Sequence, residues 1–165
     1  MSRQDVQEVY SIALRLLTMR EHCEVELRGK LLQRDCDEIA IDSAIEQLKG
    51  YGYLSEARYA EAFLRYRLKK GESLWMAATK ARQKGADEAA LQVAVDEAEA
   101  VFDAYDACRT LLQSRDPQGL RKHDERVWQR HARFLRNKGY DNDTILRALN
   151  EDACEDMRED LENGE

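Results

Sequence analysis

Apolar residues recur along most of the chain at spacings of three and four, which is the period of an amphipathic helix. The alternation of apolar and polar positions that is typical of a half-buried strand is missing. The pattern therefore predicts an all-α fold. The first apolar stripe consists of Val6, Val9, Tyr10, Ala13, Leu14 and Leu17.

A lysine followed by a glycine marks the predicted end of four helices. The glycine can adopt the left-handed conformation that closes a helix, and the lysine complements the negative end of the helix dipole. Each pair is followed within a few residues by a serine or aspartate that can cap the next helix. The pairs are Lys49-Gly50, Lys70-Gly71, Lys84-Gly85 and Lys138-Gly139, and the caps are Ser55, Ser73, Asp87 and Asp141.

The helical pattern repeats when the chain is compared with itself at offsets of 50 and then 54 residues. Six positions match in all three copies, and the last four describe an aspartate cap followed by apolar residues four, seven and eight positions later. The copies diverge where His131 replaces an apolar residue and where Asp35 replaces a glycine. The aligned sets are Leu31, Ala81, Leu135; Arg34, Lys84, Lys138; Asp37, Asp87, Asp141; Ile41, Leu91, Ile145; Ala44, Ala94, Ala148; and Ile45, Val95, Leu149.

This repeat predicts tandem helical units of about 50 residues that share buried faces and form an elongated, curved array. No helix stop occurs between Asp87 and Arg115, which predicts one helix running from the second unit into the third. The segment from Asp116 to Gly119 is the strongest turn there and a candidate hinge. The units are predicted over residues 1–53, 54–105 and 106–152, and residues 153–165 are expected to be a disordered acidic tail.

The composition and the motifs of the sequence argue against several classes of function. No signal peptide is recognisable, and no apolar run approaches the roughly 20 residues that a membrane span needs, so we expect a cytoplasmic protein without membrane contact. The four cysteines have no metal-ligand or regular spacing and are expected to be reduced thiols. Neither a phosphate-binding G-x-x-x-x-G-K-[ST] loop nor a G-x-S-x-G nucleophile motif is present. We therefore expect no enzyme activity, cofactor, metal site or small-molecule substrate.

The formal charge of −7 is unevenly distributed. Residues 151–165 carry −7 by themselves, whereas residues 121–150 carry +4. Two basic stretches, within 57–84 and 121–138, suit phosphates or an acidic protein, although a solvated helix face remains an alternative for either. The candidate binding residues are Arg58, Arg65, Arg67, Lys69, Lys70, Lys80, Arg82 and Lys84, then Arg126, Arg130, Arg133, Arg136 and Lys138. Tyr59, Phe63 and Tyr66 interleave with the first stretch and are interpreted as core contacts.

Several segments resemble the RecX family, whose members regulate the bacterial recombinase RecA. The opening resemblance lies in ALRLL at 13–17, REHC at 20–23 and ELRGKL at 26–31. The most specific segment is GYLSEARYA at 52–60, continuing to Phe63, Arg67, Lys70 and Gly71. Lys84-Gly85, and Arg133-Phe134-Leu135 leading to Lys138-Gly139-Tyr140, fit later family signatures.

The resemblance implies three tandem three-helix repeats, in agreement with the internal repeat. It also implies a non-enzymatic protein of recombination, DNA repair and the SOS response. Such a protein binds in the groove of RecA nucleoprotein filaments and suppresses ATP hydrolysis, strand exchange and coprotease activity. Single- or double-stranded DNA is a further candidate partner of the basic faces. Two alternatives stay open: a DNA-binding helical protein without sequence specificity, and an α-solenoid adaptor for another protein.

Overall fold

The structure, a computed structural model, describes residues 6–150; the predicted tail at 153–165 lies outside them. Every regular element within 6–150 is helical, which confirms the predicted all-α class. A 3₁₀ turn, Leu120–Lys122, lies between the seventh and eighth α-helices. The α-helices are α1 Val6–Met19, α2 Glu24–Leu32, α3 Glu38–Gly50, α4 Glu56–Lys69, α5 Leu74–Gln83, α6 Glu88–Glu99, α7 Ala104–Arg115, α8 Glu125–Asn137 and α9 Asn142–Asn150.

The described residues form two compact units, and the division into three repeats at the predicted boundaries stays a prediction. Unit 1 comprises residues 6–66 and 77–98, and unit 2 comprises residues 67–76 and 99–150. In unit 1, α1 packs against α3 around Val9, Ala13, Leu27, Ile41 and Leu48. In unit 2, α7 packs against α9, and α8 joins them around Cys108, Leu112, Leu135, Tyr140 and Ile145.

The three predicted aspartate caps form as the repeat requires. Asp37 accepts a hydrogen bond from the amide of Ala40 at 3.2 Å, and Asp87 accepts one from the amide of Ala90 at 2.9 Å. Asp141 accepts one from the amide of Thr144 at 2.9 Å. Each bond satisfies an amide that has no partner within its own helix. His131, the divergent position, is buried, as are Leu27 and Ala77, the residues with which it aligns.

The turn before each cap also repeats in atomic detail. The carbonyls of Leu31, Ala81 and Leu135 each accept the amide five residues later, which is the long hydrogen bond of a Schellman helix end. This closure needs a left-handed residue, and Gly85 and Gly139 provide it with φ of 89° and 92°. Asp35 occupies the same place in the first copy at φ 57°, where a side chain is strained.

Replacing Asp35 with glycine is therefore expected to stabilise the protein by about 0.5 to 1 kcal/mol. Glycine removes the left-handed strain, and the change also removes a negative charge from the negative end of α2. Urea unfolding followed by circular dichroism measures the effect. Asp35→Ala, which keeps a Cβ atom, is the control and should not stabilise. A lower unfolding midpoint for Asp35→Gly than for the unchanged protein would contradict the interpretation.

The predicted continuous helix from Asp87 to Arg115 is wrong. The chain leaves α6 after Glu99 and enters α7 at Ala104. Asp103 is extended, with φ −97° and ψ 106°, and its carboxylate accepts the amide of Asp106 at 2.9 Å. Asp103 therefore caps the start of a new helix. Its capping role was not recognised in the sequence, because many other acidic residues surround it.

The turn predicted at Asp116–Gly119 is present and rigidly bonded. Asp116 is buried, and its two carboxylate oxygens accept the amides of Leu120 and Arg121 at 2.8 and 3.1 Å. The guanidinium of Arg121 adds an ion pair at 3.2 Å. These bonds tie the 3₁₀ turn to the end of α7, and they argue against a free hinge at this turn.

Two contacts between segments that are distant in sequence, here called joints, are formed by residues at equivalent positions of the repeat. In unit 1, Cys23 donates from Sγ to the carbonyl of Lys84 at 3.4 Å, and Val25 packs where a Cβ on Gly85 would lie. In unit 2, the amide of Ser73 donates to the carbonyl of Lys138 at 2.9 Å. Ser73 also donates from its hydroxyl to the carbonyl of Gly139 at 2.8 Å. Since positions 23 and 73 are 50 residues apart and 84 and 138 are 54 apart, both joints follow the repeat offsets.

His22 is buried in unit 1 beside two cationic residues. Its Nδ1 lies 2.9 Å from the carbonyl oxygen of Arg20, and its Nε2 lies 2.9 Å from Nζ of Lys30. Because a lysine ammonium only donates, Nε2 must accept, and Nδ1 carries the proton. Burial, followed by the charge of Arg20, lowers the pKa of His22 below its ordinary value of 6.5, and Lys30 adds to this shift. The hydrogen bond with the Arg20 carbonyl, followed by the charge of Glu26, opposes it without reversing it.

The free energy of unfolding is therefore expected to fall as the pH drops below about 6.5. The unfolded chain binds a proton at His22 in that range, whereas the folded chain resists it. Burial lowers the pKa of His131 as well, so part of the dependence should remain in a His22→Gln variant. Urea unfolding between pH 7.5 and 5 should give a flatter pH profile for His22→Gln than for the unchanged protein. Identical slopes would contradict the assignment.

Candidate functional site

Helix α8 separates an apolar face from a cationic face. It begins at the cap Asp124, whose carboxylate accepts the amide of Arg126 at 2.8 Å. His131, Ala132 and Leu135 are its buried residues. The opposite side presents three exposed arginines at spacings of four and three, which places them on one face. We call this set the α8 arginine row: Arg126, Arg130 and Arg133.

The positive charge of the α8 arginine row is not neutralised within the described chain. None of its three guanidinium groups forms an ion pair or hydrogen bond with a residue in 6–150. The nearest acids along the helix are otherwise engaged, since Asp124 caps α8 and Glu125 accepts from the side chain of Gln129 at 3.0 Å. The row therefore offers three donor groups to an external anion.

The other two candidates of the second basic stretch are held by their neighbours. Arg136 donates to the side-chain oxygen of Asn142 at 3.4 Å. Lys138 donates from Nζ to the carbonyl of Lys70 at 3.0 Å and lies 5.7 Å from the centre of the Phe134 ring. Arg115, which the sequence did not single out, stacks over the same ring at 4.0 Å. Lys138 therefore contributes to the joint of unit 2 as well as to its surface charge.

Three arginines of the first basic stretch have structural partners. Arg58 pairs with Glu21 at 2.9 Å and donates to the carbonyls of Gly52 and Tyr53 at 2.8 and 3.1 Å. Arg82 and Glu88 form a forked pair with distances of 2.9 to 3.0 Å. The pair of Arg67 with buried Glu72 is longer, at 3.5 Å. These contacts stabilise turns and helix ends, a role that the sequence did not distinguish from partner binding.

The remaining five cations of the first stretch lie on α4, α5 and the turns that follow them. Lys70 is exposed and Lys80 is half-buried. The other three are exposed, and their side chains form no ion pair or hydrogen bond with the described part of the chain. These three are Arg65, Lys69 and Lys84.

The aromatic residues of the first stretch divide between core and surface. Tyr59 is buried, and its ring lies 5.6 Å from that of half-buried Phe63, which confirms the predicted core contacts. Tyr66 has 55% of its surface exposed, so its assignment to the core is wrong. Tyr66 lies seven residues after Tyr59, 20° short of two full turns and so on nearly the same side of α4, which is why the helical period predicted burial where the structure shows exposure.

Two further features of residues 6–150 bear on other functions. No cluster of three or more His, Cys, Asp or Glu side chains that could hold a metal ion occurs among residues 6–150. None of the helices described there is long and apolar enough to cross a membrane. The expected lack of a cofactor stays a prediction.

Comparison with known proteins identifies the family. The model of the first three-helix domain of RecX matches residues 10–48, and that of the third three-helix domain matches residues 103–149. The regulatory protein RecX of Pseudomonas putida strain W619 is 37% identical over 142 residues, covering 83% of this chain and 86% of the relative. That of Halorhodospira halophila is 33% identical and covers 86% of each.

A solved structure shows that the fold is shared as well. The crystal structure of RecX from Lactobacillus salivarius superposes with a TM-score of 0.70 at 20% sequence identity. The match covers 88% of this chain and 95% of that one. With two domain models matched and relatives above 30% identity along most of its length, the chain belongs to the RecX family of regulatory proteins.

Proposed function

We propose that this protein binds RecA nucleoprotein filaments in the cytoplasm and inhibits ATP hydrolysis, strand exchange and coprotease activity by binding rather than by catalysis. Membership of the RecX family supports the regulatory role. The observation that carries the binding surface is the α8 arginine row, whose three charges are exposed and have no partner in the described chain.

A row of guanidinium groups suits a filament because a filament presents anions in series. Nucleoprotein filaments carry DNA phosphates and protein carboxylates, and arginine binds both with paired hydrogen bonds. Such contacts position a protein without reading base sequence, so we expect little dependence on the DNA sequence. Arg65, Lys69 and Lys84 are secondary candidates because they are also exposed and unpaired in the described chain.

Inhibition follows if the protein binds an inactive filament state more tightly than the active one. A ligand shifts a two-state equilibrium only by its difference in affinity for the two states. Moving filaments from about 99% active to about 99% inactive requires an affinity ratio of about 10⁴. Contacts with more than one RecA protomer would supply such a ratio more readily than one contact.

ATP turnover by RecA on single-stranded DNA tests the proposal directly. Purified protein added below one molecule per RecA should lower turnover, and electron microscopy should show shorter or altered filaments. The same amount of heat-denatured protein is the control. Unchanged turnover together with unchanged filaments would exclude this function.

Direct DNA binding is a second candidate, favoured by the same unneutralised arginine row. It requires measurable affinity for naked duplex, with a logarithmic salt slope near −2.7 if three phosphates are contacted. Fluorescence anisotropy of a labelled duplex between 50 and 300 mM salt measures both. Inhibition of RecA without duplex binding at physiological salt would leave filament binding as the function.

A further inference from the structure

The C-terminal segment 151–165 lies outside the described residues, but its charge and its point of attachment are defined. We propose that this segment binds the α8 arginine row of its own molecule and competes there with the anions of a partner. The inference rests on the proposed function only in taking the row as an anion-binding surface. It adds an internal competitor encoded by the chain itself.

Charge complementarity is the first argument. The segment has eight acidic residues and one basic residue, for a net charge of −7, whereas residues 6–150 contain no ion-pair partner for the α8 arginine row. The acids occur as adjacent pairs at 151–152, 155–156 and 159–160, so carboxylates recur every four residues. A series of carboxylates resembles a series of phosphates in its charge and in accepting paired hydrogen bonds from arginine.

The point of attachment is the second argument. Asn150, the last residue of α9, accepts a hydrogen bond with its side-chain oxygen from Nε1 of Trp128 at 3.2 Å. Trp128 lies two residues after Arg126 on α8, about 200° around the helix and therefore on the side away from the row. The chain therefore enters segment 151–165 beside α8 and must pass around this helix, whose diameter is about 10 Å, to reach the row.

The length of the segment is the third argument. The α8 arginine row spans seven residue steps of helix, about 10 Å along its axis. Fifteen residues extend up to about 50 Å, so carboxylates from several parts of the segment can reach all three guanidinium groups. Tethering also raises the effective concentration of these carboxylates to the order of millimolar, which favours binding within one molecule over binding between molecules.

The consequence is a protein that binds its partner more weakly than its arginines alone would allow. A partner must displace the segment, so only a dense array of anions competes well. Because both contacts are electrostatic, the internal contact should weaken as salt shortens the screening length from about 10 Å at 0.1 M to about 3 Å at 1 M.

The experiment compares two full-length variants that lose the same number of acidic charges. The tail variant removes four charges within the segment, and the control removes four from exposed acids that form no ion pair or hydrogen bond in the described chain. The tail variant is E155Q/D156N/E159Q/D160N, and the control is E8Q/E61Q/E97Q/E99Q.

The first readout contains neither RecA nor DNA. Nuclear magnetic resonance of arginine Nε–Hε groups at 50 mM salt should show the signals of Arg126, Arg130 and Arg133 displaced in the tail variant and unmoved in the control. The displacement should disappear at 1 M salt. Unmoved signals, signals displaced mainly at other arginines, or a displacement that depends on protein concentration would each overturn the proposal.

The second readout measures competition with a defined polyanion. A labelled oligodeoxythymidylate at 50 mM salt should bind the tail variant about three- to tenfold more tightly than the unchanged protein. Adding R126Q/R130Q/R133Q should remove that difference, whereas the control variant should leave affinity nearly unchanged. An equal gain for tail and control variants would assign the effect to net charge and overturn the proposal. Failure of RecA inhibition alongside a positive resonance result would reject the proposed function and keep this inference.

Discussion

Reversing the three charges of the α8 arginine row, in R126E/R130E/R133E, is expected to abolish inhibition of RecA ATP turnover. The half-inhibitory concentration should rise at least about 100-fold, equivalent to about 2.7 kcal/mol, because three attractive contacts become repulsive. The fold should be retained, since all three side chains are exposed and none has a partner in the described chain. Titration of the variant into RecA on single-stranded DNA measures the change.

A second triple variant separates local charge from net charge. R15E/R34E/R109E changes the net charge by the same six units, at exposed positions outside both basic stretches. It should keep most of the inhibition, and thermal unfolding should show that both variants are folded. Equal loss in the two variants would indicate a general charge effect, and full inhibition by R126E/R130E/R133E would remove α8 from the binding surface.

Local features of the fold could be predicted from the sequence because they depend on neighbouring residues. A cap needs an aspartate and an amide three residues away, so Asp37, Asp87 and Asp141 were recognisable. Asp103 uses the same chemistry, but its helix has no preceding lysine-glycine pair and no matching copy. The break between α6 and α7 therefore went unpredicted.

The candidate site was harder to predict because the partners of its cations are distant in sequence. Arg58 pairs with Glu21, which is 37 residues away, and Lys138 donates to the carbonyl of Lys70, which is 68 residues away. The sequence does not distinguish a cation that is paired within the protein from one that is available to bind a partner. The structure distinguishes those that hold turns from the α8 arginine row, which has no partner in the described chain.

Gly139 lies at the C-terminal end of α8, the helix that carries the arginine row, and it also takes part in the joint of unit 2. Its φ of 92° lies in the region that L residues rarely adopt. A Cβ atom there would come within 2.6 Å of both the Cβ of Met76 and the hydroxyl of Ser73. That hydroxyl donates to the carbonyl of Gly139 and accepts the amide of Met76, so displacing it breaks two hydrogen bonds.

Gly139→Ala is therefore expected to lower the free energy of unfolding by about 3 kcal/mol. This loss is the sum of the left-handed strain and of overpacking against the Ser73 hydroxyl, which two hydrogen bonds to the backbone hold in place. Gly119→Ala is the matched control, because Gly119 also has a positive φ, 66°, but the nearest atom to its added Cβ is the flexible end of Lys122 at 3.6 Å. That variant should lose only about 1 kcal/mol. Urea unfolding measures the free energy that each variant loses. Equal losses in Gly139→Ala and Gly119→Ala would show that left-handed strain alone, without any contribution from the joint, explains the need for glycine at position 139. A larger loss at Gly139 would show that the close approach of Met76 and Ser73, and not the left-handed conformation alone, requires a glycine at the end of α8.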